Sequence, residues 1–154
     1  SGIKISFPWS NGAPKDRKFA SSFSPAFERA ALWFNIGVIY VRAAESQSLE
    51  SDEGTRSACA FYSHAAGIFK HIQEQVLAGV TVPASGCDLS GPSLTSLTKL
   101  MLARAQECYV LKAQRDQSKD SLLAKVAAAC GDLYDGAHEA LAGSSPLAER
   151  KLAL

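Results

Sequence analysis

The sequence predicts a mainly all-α fold: an elongated antiparallel helical stack with one short β-strand at its N-terminus. Three observations lead there. Apolar residues recur at steps of three and four through four long segments, as on helices that bury one face. Ser24-Pro25, Ser51-Asp52-Glu53 and Ser90 with Pro92 stand at the heads of three of them, where capping residues belong. One stretch near the N-terminus instead alternates with a period of two.

That stretch is Ile3 to Trp9, with Ile3, Ile5 and Phe7 set against Lys4 and Ser6, and it reads as a strand ended by Pro8. A lone strand is not stable by itself. No later segment has a strand pattern, so its partner is expected outside this chain, and the chain is expected to be a piece of a larger domain. Ser10 to Lys18, with Asn11-Gly12 and Pro14, reads as loop.

The first helix starts near Ser24-Pro25. Phe27, Ala31, Phe34, Val38 and Val41 share one face, and Leu32, Trp33, Ile36 and Tyr40 fill most of the rest. A helix apolar nearly all round is expected to pack on more than one side. Trp33, Ile36, Gly37 and Tyr40 fit the opening W-x2-L-G-x2-Y of a tetratricopeptide helix, with Ile for Leu, and Gly37 would admit a neighbouring helix. No 34-residue period follows, so the packing style is tetratricopeptide-like without the repeat.

Ser46 to Glu50 is a polar connection. The second helix opens at Ser51, carries Ala58, Tyr62, Ala65, Phe69, Ile72 and Val76 on one face, and ends at Gly79. Asp52 and Arg56, four apart with the acid first, are placed to pair on its exposed side. Val80 to Leu89 reads as loop, and Ser90 opens the third helix.

The segment from Ser93 to Val126 organises the chain. Leu94, Leu97, Met101, Ala105, Cys108 and Leu111 form one helical face, and the charged corner Arg115-Asp116-Gln117-Ser118-Lys119-Asp120 follows. Leu122, Leu123, Val126, Ala127, Cys130, Leu133 and Tyr134 then resume the step in a fourth helix from about Lys119 to Ala142, closed by Gly143 to Pro146. Two helices joined by a polar corner make an antiparallel hairpin with a groove between them. Residues 143–154 read as a tail or the start of a further helix, which gives one domain over 1–154.

Composition narrows the function. A net charge of +1, spread through the chain, leaves no footprint for nucleic acid. The basic cluster Lys15 to Lys18 contains Asp16 and reads as a solvated loop. Cys59, Cys87, Cys108 and Cys130 include no C-x-x-C pair, which argues against a zinc framework and for free thiols in a reducing, cytoplasmic setting. The N-terminal residues lack the apolar core of a secretory signal, and the run Ala30 to Val41 is far short of the ~20 residues that span a bilayer.

No enzyme signature emerges. His64 and His71 share a helix face but have no third ligand at fixed spacing, so a metal pair is the weaker reading and core-edge histidines the stronger. His138 has no partner, and Glu28, Glu45 and Glu74 form no acid–base pair. Gly136 to Gly143 has no strand before it and is no phosphate loop. No cofactor is expected. Tyr109, Leu122 and Val126 remain. Periodicity alone assigns them to the core, whereas their position beside the charged corner argues for access.

At these residues the chain resembles the BRO domain family, whose Alix- and PalA-type members are ESCRT-associated scaffolds. The family's L-M-L-A-Q-A-Q-E helix stands here as Leu100-Met101-Leu102-Ala103-Arg104-Ala105-Gln106-Glu107, with Arg104 for the usual Gln, and its R-D-x-x-K-D corner as Arg115 to Asp120. Phe27-Glu28-Arg29-Ala30, Phe34-Asn35-Ile36-Gly37, Asp52-Glu53-Gly54, Ala65-Ala66-Gly67-Ile68-Phe69 and Ile5-Ser6-Phe7-Pro8-Trp9 match further segments in order. The resemblance implies a non-catalytic scaffold that binds the C-terminal amphipathic helix of an ESCRT-III subunit and is recruited through it to endosomes for multivesicular-body sorting. It maps the apolar patch to Tyr109, Leu122 and Val126, and the flanking charges to Asp52 and Arg56. A rhophilin- or PalA-like signalling scaffold with a different main ligand is the alternative.

Overall fold

Ser24 and Pro25 start the first helix where the sequence places it: α1 runs Pro25–Glu45, and the Ser24 carbonyl accepts from Phe27 N at 3.0 Å. The structure, a computed structural model, describes residues 5–10, 19–82 and 87–142. Within them α2 spans Asp52–His71, α3 Gly91–Arg115 and α4 Asp120–Ala142. Each helix packs chiefly on its sequence neighbours, giving a single antiparallel layer with the tetratricopeptide style of packing. At 1.5 Å per residue the rods are roughly 30–37 Å long.

The N-terminal strand does have a partner in this chain. Strand β1 (Phe7–Ser10) pairs antiparallel with β2 (Phe19–Ser22), Phe7 opposite Ser22 and Ser10 opposite Phe19. The expectation of a partnerless strand is therefore corrected: Phe19-Ala20-Ser21-Ser22 lacks the alternation that marks a strand, because a two-stranded ribbon need not bury one face. Pro8 lies inside β1 instead of ending it. A two-stranded ribbon has only edge strands, where proline is tolerated. Trp9 seats the ribbon on α1, edge-on to Phe34 with centroids 5.3 Å apart, and Phe34 in turn meets Phe69 of α2 at 5.3 Å. The expectations for Ile3 and Lys4, for residues 11–18, for Pro83 and Gly86 and for 143–154 lie outside the described residues.

The expected face of α2 is buried throughout: Ala58, Tyr62, Ala65, Phe69, Ile72 and Val76. Its last turn, Ile72–Val76, widens to a π-helix in which Ile72 O accepts from Leu77 N at 2.9 Å, and Gly79 at φ +73° turns the chain away. Gly37 is where α1 and α2 approach closely, since a Cβ there would meet the Phe69 ring at 2.8 Å. α1 packs on more than one side, against α2, the π-turn after it and β1. Leu32, Ile36 and Ile39 are exposed, so its outer face stays open among the described residues.

α3 and α4 close through small residues. Ser96 Oγ donates to Ala137 O at 2.9 Å in the buried interface, and Cys130 Sγ lies 3.5 Å from Ala103 O. Only Cys130 and Ala137 of α4 are fully buried, as befits the edge helix of a layer.

Candidate functional site

The corner between α3 and α4 forms through local backbone bonds. Ser118 N donates to Ala113 O at 3.0 Å and Gln117 N to Gln114 O at 3.1 Å, with Gln117 at φ +50°, the Schellman closure of a helix C-terminus. The corner starts α4 beside the last turns of α3. Gln106 Nε2 donates to Val126 O at 3.4 Å and holds the two helices in register there.

This geometry leaves a groove of about 420 Å³ lined by Gln106, Tyr109, Lys112, Ala113, Asp116, Ser118, Leu122 and Val126. Tyr109, Leu122 and Val126 thus line one cavity. Tyr109 is 58% exposed and Leu122 51% exposed, so the core assignment that periodicity favours is wrong for those two, while Val126 is half-buried. Leu122 and Val126 lie toward the side of α4 that carries the buried Cys130 and Ala137, but in its first two turns, where they line the groove beside the corner.

A second cleft of about 390 Å³ lies between α2 and α3, with Asp52, Thr55, Arg56, Cys59, Tyr109 and Lys112 in its lining. Tyr109 and Lys112 belong to both cavities, so the aromatic ring is the ridge between them. All five residues singled out from the sequence border this continuous surface.

Asp52 and Arg56 do not form the expected ion pair. Asp52 is taken by Arg115, whose guanidinium also donates to Leu49 O and, at 3.1 Å, to Thr55 Oγ1. Lys112 Nζ sits 3.9 Å from Asp52 and 2.9 Å from Asp116. The Arg115 hydrogen bond, with the Lys112 charge second, holds the Asp52 carboxyl below its usual range. A cation presented across the α2–α3 interface by the end of α3 thus outcompetes one on the same helix. Arg56 makes no ion pair among the described residues and stands at the mouth of the α2/α3 cleft.

Lys112, Gln106, Arg115 and Cys59 were not anticipated as site residues. Lys112 was within reach of sequence reasoning, being three residues after Tyr109 and hence on the same helix face. Cys59 and Arg115 were not, because their roles arise between helices. The neighbouring Cys59 side chain raises the Tyr109 hydroxyl above its ordinary range. Burial pushes the Cys108 thiol up to about 11, which leaves the half-buried Cys59 the more accessible thiol of the cleft. His64 and His71 are exposed, and each packs on an α1 ring that borders the core: Tyr40 stacks on His64 at 5.3 Å and Trp33 meets His71 edge-on at 5.2 Å. No cluster of three metal-binding side chains occurs among the described residues.

A groove with apolar walls and charged rims is equipped to bind a partner surface. No helix among the described residues is long and apolar enough to cross a membrane. Comparison with known proteins gives a family match to the BRO1-like domain over residues 1–153. The pH-response regulator protein palA/prr-1 of Neurospora crassa is 40% identical over 114 residues, 74% of this chain and 13% of that protein. The ALG-2 interacting protein X of Dictyostelium discoideum is 37% identical over 145 residues, 94% and 18% respectively. The human programmed cell death 6-interacting protein is 34% identical over 140 residues, 88% and 16%. The chain thus spans less than a fifth of these relatives' length. Among solved structures, the ALIX BRO1 CHMP4C complex matches with a TM-score of 0.79 at 31% identity, covering 91% of this chain and 40% of that one. Family match, relatives and helical architecture agree: the chain belongs to the BRO1-like domain family.

Proposed function

We propose that this protein is a non-catalytic scaffold whose α3/α4 groove receives the C-terminal amphipathic helix of an ESCRT-III subunit. One observation carries the reading: Tyr109, Leu122 and Val126, which the family resemblance nominates, line a single open groove at the charged corner. Docking is of the helix-in-groove kind, with apolar anchors at i, i+3, i+4 and i+7 entering the slot. Tyr109 is the wide anchor, Leu122 and Val126 form the opposite wall, and Lys112 and Arg56 are rim cations that orient the ligand. Asp52 serves by holding the α2 start against α3.

In this reading the protein is cytoplasmic and reaches endosomal membranes through its partner, for multivesicular-body sorting. Residues 1–154 act as one BRO-like unit, part of a domain that is longer in the solved neighbour. The neighbour solved with CHMP4C supports the class of ligand. Relatives named as pH-response regulators favour a second reading, a signalling scaffold of the same shape with a different main ligand.

Titration of the protein against C-terminal peptides from a panel of ESCRT-III subunits tests this. Saturable one-to-one binding of at least one peptide is expected; no binding across the panel removes the reading.

A further inference from the structure

A third cleft lies on the same side of the helical layer. It has a volume of about 530 Å³, larger than the two that share Tyr109, and opens between α1 and α2 over Trp33, Ser63, His64, Gly67, Ile68 and His71. Ser63 also lines the α2/α3 cleft, so the two cavities adjoin. The exposed residues of α2 form a single stripe through Arg56, Ala60, Ser63 and Gly67, and so both clefts face one way.

We infer that this α1/α2 cleft is a second subsite for the same partner, taking an apolar side chain that the partner carries about four turns beyond the anchors seated at Tyr109, Leu122 and Val126. The inference rests on the groove reading above and adds the length and pattern of the ligand.

Three features support it. The first is continuity: the groove, the α2/α3 cleft and this one succeed each other across the layer, joined at Tyr109 and at Ser63. Neighbouring helix axes lie about 9 Å apart, and Gly67 is eight residues along α2 from Cys59, about 12 Å. A diagonal path from the groove is thus roughly 20 Å, or about 14 residues of helix.

The second is pre-organisation. His64 Nδ1 donates to Ala60 O at 2.7 Å while its ring stacks on Tyr40, and His71 is fixed edge-on to Trp33. Rings already locked in place lose little freedom when a side chain enters. The third is chemistry: no carboxylate, lysine or arginine lines the cleft, and a Cβ added at Gly67 would meet nothing within 4 Å, so the floor is open. Such a cleft suits an uncharged, apolar side chain.

Two fluorescein-labelled CHMP4C peptides separate the possibilities, one ending with the C-terminal amphipathic helix alone and one extended by sixteen native residues on its N-terminal side. The longer peptide is expected to bind the wild-type protein about tenfold more tightly. Gly67→Gln, and independently Gly67→Leu, fills the floor on an exposed helix position; each is expected to erase that gain and leave the short peptide's affinity unchanged. Equal affinity of the two peptides, or a gain that survives both substitutions, overturns the subsite while leaving the groove intact. Failure of both peptides to bind the wild type overturns this inference, and failure across the whole subunit panel overturns the groove reading with it. A self-association of the protein that Gly67→Gln dissolves would assign the cleft to a second copy and likewise overturn the inference.

Discussion

Leu122→Asp is expected to abolish binding of an ESCRT-III tail peptide while the far-UV helical signal and the unfolding midpoint stay as in the wild type. Leu122 is 51% exposed and sits in the first turn of α4, so little core packing is lost. An acid in that turn also suits the positive end of the helix, where it adds a few tenths of a kcal/mol. Binding is another matter. Removing a central anchor costs about 2 kcal/mol or more, roughly thirtyfold in affinity, and a carboxylate would have to be stripped of water against the partner's apolar face. Isothermal titration beside a thermal melt reads both quantities. A variant that binds as tightly as the wild type would remove Leu122 from the interface.

Gly54→Ala is expected to lose about 3 kcal/mol of stability or more, whereas Gly67→Ala in the same helix is expected to gain about 0.5–1 kcal/mol. The chemical change is identical and the surroundings decide its sign. A Cβ at position 54 would stand 2.0 Å from the Ser48 carbonyl oxygen, which is backbone and cannot swing aside. The connection that carries it is tied down next door, because Thr55 Oγ1 donates to Leu49 O at 3.1 Å and Arg115 donates to the same carbonyl. At position 67 an added methyl meets open space and removes only the conformational cost of glycine. Denaturant unfolding of the two variants beside the wild type tests the contrast; a Gly54→Ala variant as stable as Gly67→Ala would contradict the packing around Ser48. Gly54→Ala also disturbs the site, since Asp52 and Arg56 enter the cleft from that turn of α2.

Much of the layer was legible in the sequence because its signals are local. Ser51 accepts from Gly54 N at 3.1 Å and Ser90 Oγ from Ser93 N at 3.4 Å, so two of the three caps read from single residues form through the side chain, while Ser24 holds the N-cap position without a side-chain bond. The buried face of α2 follows its steps of three and four without exception. What stayed hidden depends on distant partners. β2 carries no periodicity, and only its pairing with β1 makes it a strand. The π-turn at Ile72–Val76 leaves no mark in the residue pattern. The outer face of α1, with Leu32, Ile36 and Ile39 open, shows that an apolar stripe predicts what a helix is able to bury and not what covers it.

The site divides along the same line. Family motifs brought Tyr109, Leu122 and Val126 to attention, whereas periodicity alone assigned them to the core. Their access follows from their place beside the corner, whereas the buried contacts between α3 and α4, Ser96 to Ala137 and Cys130 to Ala103, lie further from it. The Asp52–Arg56 spacing was a sound local rule overridden by a stronger tertiary partner, Arg115. Sixty-three residues of sequence separation put that contact beyond any spacing rule.

The most direct measurement is a ¹⁵N–¹H NMR titration of the protein with the CHMP4C tail peptide, because α3 and α4 border a second cavity that serves as an internal control. That cavity, about 380 Å³ over Glu107, Val110, Leu111, Ala127, Cys130 and Gly131, matches the groove in size but lies on other faces of the same two helices. Docking in the groove predicts shift changes at Gln106, Tyr109, Ala113, Leu122 and Val126. Changes centred on Val110, Leu111 and Ala127, with Tyr109 and Leu122 unmoved, would contradict it.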